Sequence, residues 1–454
     1  MRGFFENQTY VLQGKQKLIL KGFLTKFLYN RRQQMKKKTF ALITVLVLIP
    51  ITAAAIVNGL FPYPYSPKQP PKLDATNWTQ EGVQQVVDAN NQFALELYAE
   101  LCKTEEGNIF YSPNSISAAL AMTYEGAKGR TADEIKTVFH FPEISILRQN
   151  FAKIYNEINE SAEDFELRMG NALWLQKDYP FLTDYISRIE KYYGGKATNV
   201  DFVNETEESR QTINNFIEEQ TNSKIKDLIP KGVLDSMTRL VLTNAIYFKG
   251  KWVWEFDPKD TTEMDFNTTP TNVVKVPMMY MKPEKAKFNY ADTGDLQVLE
   301  LPYKGEKISM LILLPKENLE SIEPITLEKL NGWESQMEET TLDGIYLPKF
   351  AFDTKYFMKD ALSEMGMPTL FGANADLSNM DGTRELYVEE VIHQAFVKVD
   401  EQGTEAAAAT GVVGSLTSLL PKNIFRADHP FIFIIQQNDT GNILFFGRVN
   451  NPNE

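Results

Sequence analysis

A single cysteine, Cys102, stands among 454 residues, with three histidines, His140, His393 and His429. A lone thiol permits no internal disulfide and no cysteine-built zinc or iron–sulfur centre. Three histidines so far apart along the chain argue against a histidine-rich metal site, and no cofactor is expected. No G-x-S-x-G elbow, H-E-x-x-H helix, Walker loop or G-x-G-x-x-G turn occurs. A dispersed Ser-His-Asp triad would leave no motif, and nothing here recommends one. Cys102 follows an apolar helical face, where a buried structural thiol is favoured over a nucleophile. His140, in VFHFP, is expected in a turn.

Basic charge is scarce in most of the chain. Ten of the 47 Lys and Arg but only one of the 60 Asp and Glu lie in residues 1–60, so the remainder carries 37 against 59, a net of −22. Such a body repels phosphate backbones, and nucleic acid is not an expected partner. What is present is 43% hydrophobic and 12% aromatic residues, enough for a large core.

The basic cluster Arg31, Arg32, Lys36, Lys37 and Lys38 runs into FALITVLVLIPITAAAIV, residues 40–57. Residues 1–34 are a basic extension ahead of Met35, which is itself a candidate start. Residues 35–60 read as a signal peptide or a transmembrane anchor. Either reading makes the protein extracellular or cell-surface, with a membrane partner through residues 40–57 if the segment is uncleaved. Residues 61–80 carry five prolines between Phe61 and Lys72 and form an extended spacer.

Length alone suggests about three domains, but residues 81–454 contain no further linker and no repeat, and read as one. Helical spacing runs over Gln85–Cys102 and Ser115–Tyr124, and Thr131 is expected to cap a helix starting at Ala132. Later runs read as strands: 239–248, 298–303, 308–315, 344–350, 393–400 and 430–436, several apolar on both faces. Helices first and strands late indicate an α+β fold built on large sheets.

The stretch EQGTEAAAATGVVGSLTSLLP, residues 401–421, is the odd one. Sixteen consecutive uncharged residues lie between Glu405 and Lys422, where an exposed loop would carry charge. A helix over the alanines is not continued by the glycines and β-branched residues that follow. The remaining reading is a segment with two homes, exposed in one state and pleated into a sheet in another. Thr404, Ala406, Ala408, Thr410 and Val412 would then form a small-residue face at strand alternation, with Gly403 as the permissive hinge.

This stretch resembles the reactive-centre loop hinge of the serpin family. Further similar segments run in order through the body: NIFYSPNSISAALAM (108–122), GAKGRTADEI (126–135), LTNAIYFKGKW (242–252), VPMM (276–279), LPKF (347–350), ADLSNM (375–380), DHPFIFII (428–435) and FFGRVNNP (445–452). The resemblance covers 81–454. It implies a single domain of about nine helices and three β-sheets with an exposed loop. It also implies a monomer that is not an enzyme but inhibits serine, alternatively cysteine, proteases as a suicide substrate: the target cleaves the loop, remains acylated, and the loop enters the main sheet. The alternative it leaves open is a non-inhibitory member acting as a binding or structural module.

By resemblance the hinge comprises Glu401, Gly403, Thr404, Glu405, Ala406, Ala407, Ala408, Ala409 and Thr410. A shutter cluster comprises Ser112, Ser115, Asn244 and His393, and Trp252 marks the breach. Family spacing puts the reactive bond at Thr417–Ser418, with Leu416–Thr417 and Leu419–Leu420 as alternatives. None of these offers Arg or Lys to a trypsin-like pocket. The expected target is therefore a serine protease of elastase-, subtilisin- or chymotrypsin-like specificity for small or aliphatic residues.

Overall fold

The computed structural model describes residues 71–160, 165–282, 286–404 and 423–454. The chain divides into two units, residues 1–69 and 70–454, and the described residues all belong to the second. The basic extension, the apolar segment 40–57 and the first half of the proline spacer, residues 61–70, lie outside the described residues.

Helix α1 (Gln80–Leu101) buries Val83, Val86, Val87, Ala94, Leu97, Tyr98 and Leu101, the i, i+3, i+4 stripe of a core-facing helix. It begins five residues earlier than the apolar periodicity suggests because the Thr79 hydroxyl accepts from the Gly82 amide at 3.0 Å. Helix α2 (Pro113–Gly126) is buried along nearly its whole length. Its alanines and serines allow that, since small side chains let neighbouring layers approach from every side.

Helix α3 (Gly129–Val138) corrects the Thr131 expectation. Lys128 precedes it without a side-chain cap, and Thr131 lies inside the helix with its hydroxyl accepting from the Asp376 amide at 2.9 Å. A tertiary partner took the hydroxyl that local sequence assigned to a cap. Helices α4 (Ile144–Glu160), α5 (Thr183–Tyr192) and α6 (Thr206–Gln220) follow. Nine α-helices occur among the described residues.

Three sheets complete the described fold. The main sheet contains β1 (Phe165–Met169), β2 (Ala172–Gln176), β3 (Lys196–Val200), β4 (Leu240–Lys251), β5 (Phe350–Phe357), β6 (Val391–Asp400) and the two-residue β7 (Gly403–Thr404). A second seven-stranded sheet is centred on Ile308–Pro315, Phe431–Gln437 and Ile443–Val449, and a four-stranded sheet is built around Asn272–Met281. Phe110, Phe433 and Phe445 stack together in the large core. A second core lies under α6, where Ile213 and Ile217 pack with Trp174, Val241, Ala245 and Ile392 of the main sheet. Both faces of the central strands are therefore dry, as their unbroken apolar runs require.

Cys102 is half-buried, more accessible than its helical pattern suggested, with its sulfur accepting from Arg448 Nη1 at 3.3 Å. Burial raises its pKa, so it stays a thiol. His140 stands in a turn with φ 53°, its Nε2 2.8 Å from Glu96.

Candidate functional site

Strands β4 and β6 run parallel and pair directly from Leu242 with Val391 to Tyr247 with Phe396. Beyond that point they part. The gap is filled by β7, antiparallel to both: Gly403 lies opposite Lys251 and Asp400, and Thr404 opposite Gly250 and Val399. Gly403 and Thr404, just ahead of the uncharged segment, thus already form the beginning of a strand between two others.

Each residue around this wedge has a local reason to be there. The chain reverses at 401–402, held by the Asp400 carboxylate accepting from the Gln402 amide at 3.0 Å. Backbone bonds from Trp252 to the Gln402 carbonyl (2.9 Å) and from Phe256 to the Glu401 carbonyl (2.8 Å) pin the reversal. Gly403 has φ 153°, and a Cβ there would fall 1.9 Å from the Gly250 carbonyl oxygen. Only glycine permits that approach.

Trp252 is buried, donates from Nε1 to the Asp400 carbonyl at 3.1 Å, and stacks on Tyr303 with ring centroids 4.5 Å apart. Tyr303 in turn shares a 2.7 Å hydrogen bond with the Thr404 hydroxyl. Burial pushes the Tyr303 phenol well up in pKa, so it remains neutral and able to donate. Tyr303 escaped the sequence reading: it stood in an ordinary strand run, and only the fold brings it under the hinge.

Glu401 is also buried. Its carboxylate accepts from Thr261 Oγ1 at 2.8 Å and pairs with Lys349 Nζ at 2.8 Å. Burial alone would raise its pKa, but the Lys349 contact, with the Thr261 bond, outweighs that and holds it below the usual carboxylate value.

Further along the same two strands lies a polar cluster sealed from solvent. His393 and Asn244 are paired positions on β6 and β4, and His393 Nδ1 bonds Asn244 Oδ1. His393 Nε2 accepts from the Ser112 backbone amide at 3.2 Å. That acceptor role fixes the neutral tautomer with its proton on Nδ1. Burial drives the His393 pKa from 6.5 to about 3. Asn244 Nδ2 donates to the Ser115 hydroxyl at 2.7 Å and to Asn171 Oδ1 at 2.8 Å, and Ser112 Oγ both caps α2 at Ser115 and donates to the Leu444 carbonyl at 2.6 Å.

All four residues expected in the shutter thus meet in one network, and Asn171 joins them. Asn171 sits in the short connection between β1 and β2, a position with no sequence pattern to betray it. The hinge residues Glu401, Gly403 and Thr404 meet beside Trp252. Glu405, Ala406, Ala407, Ala408, Ala409 and Thr410, and the candidate bonds among Leu416, Thr417, Ser418, Leu419 and Leu420, lie outside the described residues. The chain is described again at Asn423. There Ile424–Arg426 pairs in parallel with Gly344–Tyr346, and His429 Nε2 lies 2.6 Å from the Pro315 carbonyl.

The sequence model of the family described as Serpin (serine protease inhibitor) matches residues 88–452. The chain is a serpin. It is 42% identical to leukocyte elastase inhibitor A of Rattus norvegicus over 380 residues, covering 82% of this chain and 100% of that protein. It is 43% identical to serpin B3 of Homo sapiens over 389 residues, covering 80% of this chain and 99% of the relative. Among solved structures it is similar to uncleaved ovalbumin, with a TM-score of 0.75, 33% identity, and coverage of 81% of this serpin and 100% of that chain. These similarities agree with the α+β architecture of nine helices and three sheets.

The expectation of an extracellular or cell-surface protein is corrected by the same comparison. Relatives of the leukocyte elastase inhibitor and serpin B kind overturn it: leukocyte elastase inhibitor A and serpin B3 align over 100% and 99% of their own length but over only 82% and 80% of this chain. No helix among the described residues is long and apolar enough to cross a membrane.

Proposed function

We propose that this serpin inhibits serine proteases as a suicide substrate, its loop entering the main sheet between β4 and β6 after cleavage. One observation carries the reading: Gly403–Thr404 already pairs with both strands, antiparallel to each. Continuing that register on insertion would set Ala406 opposite Phe248 and Val397, Ala408 opposite Ile246 and Ala395, and Thr410 opposite Asn244 and His393. Thr404 faces the buried side, where it meets Tyr303. Alternate residues after it would share that face, and all are small and uncharged. Glu405 would point outward.

Insertion breaks the six parallel pairs between 391–396 and 242–247 and makes two antiparallel ladders in their place. The gain is about one ladder. At about 0.5–1.5 kcal/mol net per hydrogen bond, a dozen residues yield on the order of 10 kcal/mol. Loop insertion of this kind is strand addition within one chain, and it supplies the work of distorting an acylated protease. The shutter network must open for it, and its polar bonds are ones that can be remade.

The relatives named for inhibiting leukocyte elastase agree with the absence of Arg and Lys in 406–421. The target we propose is a serine protease with an elastase-, subtilisin- or chymotrypsin-like pocket, cutting at Thr417–Ser418. The test is incubation with pancreatic elastase, subtilisin and chymotrypsin, followed by a denaturing gel and mass spectrometry of the released peptide. A band near the summed mass that survives denaturation is expected. Loop cleavage by all three without such a band would overturn inhibition and favour a binding module.

A further inference from the structure

Away from the loop, an open cleft of about 400 Å³ lies where the C-terminal end of α2 meets α3, α4 and α5. Its lining combines apolar surface from Tyr124, Ala132 and Ile144 with the Asn379 amide and the charged groups of Glu125, Arg148 and Arg188. Glu125 is buried. Arg148 grips it bidentately, Nε to Oε1 and Nη2 to Oε2, both at 2.6 Å, and the Tyr193 hydroxyl donates to Oε1 at 2.9 Å. The carboxylate is thereby satisfied by one arginine and one phenol.

Arg188 is the surplus. Its Nε stands 3.2 Å from Glu125 Oε2, yet this nitrogen is shielded from solvent and makes no hydrogen bond. No other partner of its guanidinium occurs among the described residues. Two guanidinium groups against one carboxylate leave the cleft with one net positive charge and a fork of unused N–H donors. A shielded donor without an acceptor is unfavourable, and planar donor forks match oxyanions. The volume falls within the usual range for small-molecule sites, and the wall is apolar around a few convergent polar groups, as such sites are.

We propose that this cleft binds a small organic oxyanion, a carboxylate or phosphate monoester carrying a compact apolar body. The oxyanion takes the free N–H groups of Arg188, and the apolar body lies against Tyr124 and Ile144. The position couples the site to the main sheet. Helix α2 carries Glu125 at one end and the shutter serines Ser112 and Ser115 at the other. Helix α5, which carries Arg188, leads through Gly194 and Gly195 into edge strand β3. Gly195 lies so close to α2 that a Cβ there would meet Met122 Sδ at 2.0 Å.

Isothermal titration of the full chain with phenyl phosphate and with phenylacetate tests the proposal. One equivalent of at least one probe is expected to bind saturably. Arg188→Gln is expected to weaken it at least tenfold, as is Ile144→Trp, which fills the cleft. Inorganic phosphate, lacking the apolar body, is expected to bind at least tenfold more weakly than phenyl phosphate. Circular dichroism and thermal midpoints of both variants establish that each is folded. Absence of saturable binding by both probes, or unchanged affinity in folded Arg188→Gln, would overturn the site. Equal affinity for inorganic phosphate would overturn the apolar guest.

Discussion

His393 and Asn244 face one another across the two parallel strands of the main sheet that a cleaved loop would have to part, and a buried hydrogen bond joins their side chains. The same imidazole accepts from the first residue ahead of α2. One side chain therefore ties both central strands to the helix behind them.

Replacing His393 by Ala would strand the Ser112 amide and the Asn244 carbonyl oxygen, both in residues sealed from solvent. Each orphaned group costs about 1–3 kcal/mol, so a loss of about 3 kcal/mol in stability is expected. A sheet loosened there should also polymerise or insert its own loop on mild heating, read by native gels. Unchanged monomer content after heating would contradict the shutter role.

The same histidine predicts acid sensitivity. Its pKa is about 3 folded against 6.5 unfolded, so between those values the unfolded chain binds the extra proton. Stability from this group is whole above pH 6.5 and falls as pH drops toward 3, by about 1.4 kcal/mol per unit. Unfolding free energies of wild type and His393→Gln, from denaturant titrations, should therefore differ by about 2 kcal/mol less at pH 5 than at pH 7. A constant difference would mean that His393 titrates alike in both states.

At Gly403 a methyl group would fall 1.9 Å from the Gly250 carbonyl oxygen. Gly403→Ala should expel the two-residue strand from its wedge and slow insertion. The expected readout is a several-fold rise in the moles of inhibitor consumed per mole of elastase inhibited, with the initial rate of loop cleavage little changed.

Thr410→Arg tests the register. Continued from Thr404, it would drive a guanidinium into the His393 and Asn244 cluster, where an unpaired charge is costly. Covalent complex should fall at least tenfold while the loop is cut as an ordinary substrate. Ala409→Arg, on the outward face, should remain inhibitory. Equal loss in both variants would refute the alternation.

Several strands were legible because their cause is local. Residues 308–315 read as a strand from an unbroken apolar run and are one, and 391–400 extends the expected 393–400 by two residues. Gly403 stood out in the sequence as a position needing backbone freedom, and in the structure it has φ 153° against the Gly250 carbonyl. Thr131, Tyr303, Asn171 and Arg188 were not. The first looked like a cap and became a tertiary acceptor. The others sit in unremarkable local contexts, and their roles come from partners more than 50 residues away.

Alone, the sequence determined the α+β class, the run of small uncharged residues after a strand, and the glycine that allows the chain to double back, because strand alternation, charge and backbone freedom act over neighbouring residues. It also carried the absence of internal disulfides, since one thiol has no partner. Tertiary structure decided the rest: that β4 and β6 are parallel neighbours, that Gly403–Thr404 stands between them, and that His393 is a neutral imidazole with its proton on Nδ1. Those outcomes depend on burial and on groups far apart in sequence, where pairing register and desolvation prevail over any local preference.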